Sequence, residues 1–204
     1  MGLTGSLREL GVFGGAFDPP HLAHTALARA ALEQLSLDWL YVFPTGQSWH
    51  KAGQATAAAH RLAMTRLAFE GQARVRVDDR EIGRAGPTYT VDTLRELHAQ
   101  HPGLRIHLIL GADQAGALTR WRDWQSILEL AIISVADRSE STGAAGGFDP
   151  STLPQGRFER LQMPPMTISA TEIRARLAQG QGIDHLVSPG VARYIDRHHL
   201  YRTA

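Results

Sequence analysis

At 204 residues and 43% hydrophobic, the chain has material for one domain with a substantial core, which excludes disorder as a default. Its 21 basic and 20 acidic residues leave a formal net charge of +1, too balanced for binding nucleic acid by electrostatics alone. There is no cysteine, so neither a disulfide framework nor a thiolate metal site can form. No apolar run approaches the roughly 20 residues of a membrane span. The first ten residues lack the apolar region of a signal peptide, so a cytoplasmic protein without a membrane partner is expected.

Apolar runs alternate with helical patterns along the chain. Leu10 to Phe13 reads as a short buried strand ending in Gly14-Gly15. Thr25 to Leu35 places Leu27, Ala28, Ala31, Leu32 and Leu35 on one helical face. Trp39 to Phe43 is a second strand stopped by Pro44, and His60 to Phe69 is again helical. Val75 and Val77 alternate with polar residues in a third strand, followed by a helix over Val91 to His98. Ile106 to Leu110 is a strand ending at Gly111, Trp124 to Leu130 a helix, and Ala131 to Val135 a fifth strand. Alternation of this kind predicts a parallel sheet covered on both faces. Residues 138–156, rich in Ser, Gly and Pro, read as a flexible surface loop. Two terminal helices, Ser169 to Leu177 and Gly190 to His198, follow, and no strong boundary divides residues 1–204, so a single domain is expected.

The stretch from Gly11 to His24, GVFGGAFDPPHLAH, carries the first chemical signal. A buried strand runs into two glycines, then a proline-stiffened turn, then a helix. Glycine permits close backbone approach to a ligand, and helix N-termini attract anions. The spacing is neither the dinucleotide G-x-G-x-x-G nor the P-loop pattern. His21 and His24, three apart, can turn both rings to one side and donate hydrogen bonds to phosphate oxygens. An isolated H-x-x-H is more often a pair of surface histidines, and a zinc site would want a further ligand or the i, i+4 spacing. The complete stretch is far more specific than the pair.

Near the other end, Thr167 to Arg174 reads TISATEIR. Ser169 is a good N-cap, Glu172 three residues later completes a capping box, and Ile168 with Ile173 fits a hydrophobic staple. These residues are accounted for by helix initiation alone. Arg174 is not: a cation near a helix N-terminus typically costs about 0.3–1 kcal/mol, and no partner is evident in the sequence. A bound polyphosphate would reverse that sign.

Together these segments resemble the nucleotidyltransferase superfamily with the (H/T)-x-G-H signature. GGAFDPPHLAH is similar to the GGTFDPPHxGH of nicotinate-nucleotide adenylyltransferases, with Ala16 and Ala23 replacing threonine and glycine. TISATEIR is similar to the superfamily's I-S-S-T-x-I-R. The resemblance runs from about Gly11 to Tyr201 and implies a Rossmann-like, doubly wound fold with five parallel core strands and C-terminal helices. It also implies adenylyl transfer from ATP to nicotinate mononucleotide, giving the dinucleotide and pyrophosphate in NAD biosynthesis. Mg²⁺ would ride on the ATP phosphates, and no protein metal site is expected. Alternatives are another acceptor, such as nicotinamide mononucleotide or phosphopantetheine, or a nucleotide-binding regulator without catalysis.

By match of motif, the resemblance assigns His21, His24 and Arg174 to catalysis. ATP would be bound by these three with Gly14, Gly15, Phe17, Gly111, Asp113, Ser169 and Thr171. Gly111 and Asp113 come from ILGAD, similar to the family's I-x-G-x-D at a strand's end, where Asp113 would accept from ribose hydroxyls or, more blandly, cap a helix. The acceptor would be bound by Thr45, His50, Lys51, Tyr89, Thr90 and Trp121. Thr45 to Lys51 lies in a segment similar to P-N-x-x-P-P-H-K, with the chain's one lysine at its end. Gly86 to Thr93, GPTYTVDT, is similar to G-P-S-Y-T-x-x-T, with Thr90 near the nicotinate carboxylate and also expected as a helix N-cap. Arg120-Trp121 resembles the family's K-W-Y stretch, with Trp121 stacking on the pyridine ring; without that match a core tryptophan is the plainer reading. Arg138 stands where the family places an arginine after the fifth strand. Oligomeric state is not legible in the sequence.

Overall fold

The computed structural model describes residues 7–46, 55–136 and 156–202. Six strands form one sheet in the order β3-β2-β1-β4-β5-β6. They are β1 (Glu9–Gly15), β2 (Trp39–Pro44), β3 (Val75–Val77), β4 (Arg105–Gly111), β5 (Ile132–Ala136) and β6 (Arg157–Leu161). The β1/β4, β4/β5 and β5/β6 pairs are parallel. The α/β class and the five expected strands are therefore present, and the count of five is corrected to six. The extra strand, RFERL, pairs on one side only and buries little besides Leu161. An edge strand with half-exposed positions lacks the apolar run that marks an interior parallel strand.

The chain groups into two compact units. The first comprises Met1–Gly14, Leu27–Val42 and Tyr89–Pro165. Here β4 is buried without interruption from Ile106 to Leu110, as befits a parallel strand covered on both faces. Helix α4 (Thr90–Gln100) buries Val91, Leu94 and Leu97, and α6 (Trp124–Leu130) buries Ile127 and Leu128. The His98 ring meets the Leu130 carbonyl at 2.8 Å, tying α4 to the end of α6. Gly11 is a packing requirement: a Cβ there would lie 2.7 Å from Leu37 Cδ1.

The second unit comprises Gly15–Ala26, Phe43–Thr88 and Met166–Ala204. It holds the first turns of α1 (Leu22–Gln34), α2 (Ala58–Ala68), a short α3 (Arg80–Gly83), α7 (Ala170–Ala178) and α8 (Pro189–Arg197). Helix α8 starts on Ser188, whose hydroxyl accepts from Val191 N at 3.4 Å, with Pro189 preset for the first helical position. It buries Val191 and Ile195 and lies against α2, where a Cβ on Gly190 would stand 3.5 Å from Leu67 and the Tyr194 hydroxyl meets His60 Nδ1 at 3.0 Å. The expected helices all exist, α6 with the ends expected and the others with shifted ends. Helix α1 starts three residues before Thr25, which leaves His21 just outside it and His24 inside its first turn.

Candidate functional site

The second unit contains the phosphate motifs. After β1 the chain turns through Phe17, whose φ of 48° is left-handed, and through Asp18-Pro19 before α1 begins. Gly15 exists for this turn. A Cβ on it would lie 3.0 Å from the Phe17 ring, so the ring packs directly over the backbone. Phe17 is 2% exposed and meets the His24 ring edge-on at 5.0 Å, which fixes one side of that imidazole. His21 and His24 are stacked, with centroids 3.7 Å apart and planes 22° from parallel. The His21 backbone N–H donates to His24 Nδ1 at 3.1 Å. An acceptor at Nδ1 places the His24 proton on Nε2, so this ring is preset as a donor through its far nitrogen.

Helix α7 supplies the second motif. Ser169 is its N-cap, and its hydroxyl accepts from Glu172 N at 3.1 Å, as the sequence implied. Ile173 is fully buried and anchors the helix. Arg174 corrects the sequence reading, because it has partners. Its Nη1 donates to the Asp18 carbonyl at 2.7 Å, and Nη2 donates to Thr171 Oγ1 at 3.4 Å. The guanidinium is thereby held against the loop that presents His21 and His24, and its misfit with the helix dipole is offset by charge-assisted bonds.

Two further residues, which the sequence reading missed, hold that loop. Arg61 on α2 is 3% exposed and donates to three carbonyls: Thr56 at 3.0 Å, Ala16 at 2.8 Å and Gly46 at 3.0 Å. Its charge is buried near Asp18; desolvation pulls its pKa down, opposed by Asp18. Asp18 is 8% exposed and accepts from the Tyr201 hydroxyl at 2.6 Å and from Thr56 N at 3.1 Å. No local pattern announces these contacts, since they join residues up to 183 positions apart. The segment after β2 is fixed as well. Thr45 N donates to the Gly15 carbonyl at 2.9 Å, and a Cβ on Gly46 would stand 2.1 Å from the Glu81 carbonyl.

The first unit brings another group of the expected residues to the carboxyl ends of its strands. Gly14 is exposed near the end of β1, and a Cβ on it would meet nothing within 4 Å. Gly111 ends the parallel neighbour β4 and is the N-cap of α5 (Ala112–Gly116), with Asp113 in the first turn. Asp113 is therefore not the helix cap. Tyr89, not Thr90, occupies the N-cap position of α4, so the expected cap at Thr90 is corrected by one residue. Thr90 opens the helix, where backbone N–H groups lack intrahelical acceptors. The Tyr89 ring carries the Arg122 guanidinium 4.5 Å from its centroid. Trp121 is part-exposed, which removes the reading of a core tryptophan. His50, Lys51, Arg138 and all but the last residue of the 138–156 segment lie outside the described residues.

At the opposite, amino-terminal ends of β1, β4 and β6, an open groove of about 490 Å³ is lined by Glu9, Arg105, His107, Glu159 and neighbouring residues. It is organised as an ion network. Glu9 bonds Arg105 and the buried His107, and although burial opposes ionisation, these two partners hold its pKa below the ordinary value. Among the described residues no cluster of three or more histidines and carboxylates is arranged to hold a metal, and no helix is long and apolar enough to cross a membrane.

Comparison with known proteins bears on this geometry. A family model described as cytidylyltransferase-like matches residues 12–176. A protein of Albidiferax ferrireducens named "probable nicotinate-nucleotide adenylyltransferase" is 56% identical over 97% of this chain and 100% of its own. A protein of Chromobacterium violaceum with the same name is 41% identical over 95% and 99%. Among solved structures, the Plasmodium falciparum nicotinic acid mononucleotide adenylyltransferase complexed with NaAD superposes with a TM-score of 0.78. It covers 95% of this chain and 97% of its own, at 20% identity, and so speaks for the fold.

Proposed function

The chain belongs to the cytidylyltransferase-like family and, within it, to the nicotinate-nucleotide adenylyltransferases, and from that premise we propose that it transfers the adenylyl group of ATP to nicotinate mononucleotide. The products are nicotinate adenine dinucleotide and pyrophosphate, a step of NAD biosynthesis, and the expected compartment is the cytoplasm. The observation that carries the reading is the histidine pair, His21 and His24, stacked at the start of α1, in which a backbone N–H fills His24 Nδ1 and presets His24 as a donor through Nε2.

The acceptor's phosphate is already an anion, so its attack on the α-phosphorus needs no strong general base. Positioning and charge stabilisation then account for the rate. His24 Nε2–H would donate to the α-phosphate as the bond to the leaving oxygen lengthens, and His21 would flank it. Arg174, with Ser169 and Thr171 at the start of α7, would take the β- and γ-phosphates, where an anion also complements the helix dipole. Gly14, Gly15 and Phe17 shape the turn the nucleotide approaches. Gly111 and Asp113 would serve the ribose, and Thr45, His50, Lys51, Tyr89, Thr90 and Trp121 the acceptor. Mg²⁺ is proposed to arrive on the ATP phosphates, because it dehydrates reluctantly and is commonly bound through substrate phosphates, and no step above needs the protein to hold it.

Pyrophosphate release from Mg·ATP with a panel of mononucleotides and phosphopantetheine tests this reading. Release is expected with the pyridine mononucleotides and not with phosphopantetheine. A protein that releases pyrophosphate only with phosphopantetheine, or with no acceptor, does not carry out this reaction.

A further inference from the structure

We propose that Tyr201 is a positioning residue of the phosphate site, acting through Asp18 on Arg174. The proposal rests on the phosphate role given to Arg174 above. Asp18 joins three distant parts of the second unit. Its side-chain oxygens accept from the Tyr201 hydroxyl at 2.6 Å and from Thr56 N at 3.1 Å, and its carbonyl accepts from Arg174 Nη1 at 2.7 Å. One face of this residue is thus fixed by the C-terminal segment, and the other fixes the guanidinium. The chain reaches this arrangement through unfavoured backbone: His199 and Tyr201, just after α8, have φ of 50° and 64°. Non-glycine residues hold such conformations only when their surroundings over-determine them.

The phenol remains a donor. Burial first, and then the bond to Asp18, push its ionisation far above the ordinary tyrosine value. The hydroxyl therefore delivers one directional bond to a residue that is 8% exposed. Without it, the Asp18 side chain keeps only the hydrogen bond from Thr56 N, and the turn whose backbone carbonyl aims Arg174 loses one of its two side-chain anchors. Tyr201 and Asp18 are 183 residues apart, so the segment after α8 sets the geometry of the first motif.

A double-mutant cycle on the full chain tests this. Tyr201→Phe, Arg174→Ala and the pair are compared by steady-state kinetics, by calorimetric affinity for Mg·ATP and by thermal melting. Tyr194→Phe is the control, since it deletes a hydroxyl of the same unit that bonds His60 instead. Tyr201→Phe is expected to lower kcat/KM for ATP about tenfold, equivalent to about 1.4 kcal/mol, with KM for the mononucleotide unmoved. In the Arg174→Ala background it should add nothing, and Tyr194→Phe should leave the kinetics as they are. A well-folded Tyr201→Phe with unchanged ATP kinetics, or an equal further loss when Arg174 is already alanine, overturns the proposal. If wild type binds Mg·ATP yet transfers nothing, the proposed reaction fails and the calorimetric cycle still decides the role of Tyr201. A wild type that binds no Mg·ATP overturns both.

Discussion

His24 shows how one side chain is prepared for chemistry by its neighbours. The His21 N–H occupies Nδ1, the Phe17 ring holds the imidazole edge, and the His21 ring lies 3.7 Å above it. The proton is therefore on Nε2 before substrate arrives, and little reorganisation remains for the transition state. His24→Ala is expected to lower kcat by about 100-fold or more, the range for loss of one preorganised donor, with melting nearly unchanged. His24→Gln, whose amide nitrogen can reach the Nε2 position, should recover part of that loss, whereas His24→Asn, which can reproduce only the Nδ1 acceptor, should not. Equal activities of the Gln and Asn variants would show that the far nitrogen is not the working atom. The histidine pair was legible in the sequence because its spacing is local. Its tautomer was not, because that depends on one backbone bond.

Elements divide by how far their signals extend. The start of α7 was readable at its Ser169 cap, which accepts from Glu172 N, since capping is a matter of four or five neighbours. Strand β6 was not, because only pairing with β5 makes RFERL a strand. The α3 turn after β3 was also missed. It is fixed by Asp78, which accepts from Arg80 N at 3.0 Å, Nε at 3.0 Å and Nη2 at 2.9 Å. Burial raises the Asp78 pKa, yet the Arg80 bonds outweigh it and hold the carboxyl below its ordinary value. A depressed folded-state pKa gives stability that is complete above the unfolded value and is lost as pH falls through the folded one. Asp78→Asn should then lower the melting temperature at neutral pH by about 3–6 °C, for about 1.5 kcal/mol of partly exposed charge-assisted bonding. The gap to wild type should close as pH falls below about 3.9. A gap that does not change with pH would place the effect in packing instead of charge.

For the whole molecule, the parallel sheet follows from continuous apolar runs such as Ile106 to Leu110, and three of the glycines are explained by contact. Gly11 yields to Leu37, Gly15 to Phe17 and Gly46 to the Glu81 carbonyl. The tertiary clamps, Arg61 on three carbonyls and Asp18 between Tyr201 and Arg174, were invisible in the sequence because nothing local distinguishes a buried arginine or tyrosine from a solvent-facing one. What both levels converge on is transfer of an adenylyl group to a pyridine nucleotide, and its acceptor is the central claim. Nicotinate and nicotinamide mononucleotide differ by a carboxylate against a neutral amide. Backbone N–H groups opening α4 at Thr90 would favour the anion, because charge-assisted bonds are roughly twice as strong as neutral ones. A difference of about 1.4 kcal/mol or more corresponds to about tenfold or more in kcat/KM. The direct measurement is competition: both mononucleotides at equal concentration with limiting Mg·ATP, and the dinucleotide products separated by chromatography. The acid dinucleotide is expected in at least about tenfold excess; equal yields, or an excess of the amide product, would place the acceptor preference elsewhere.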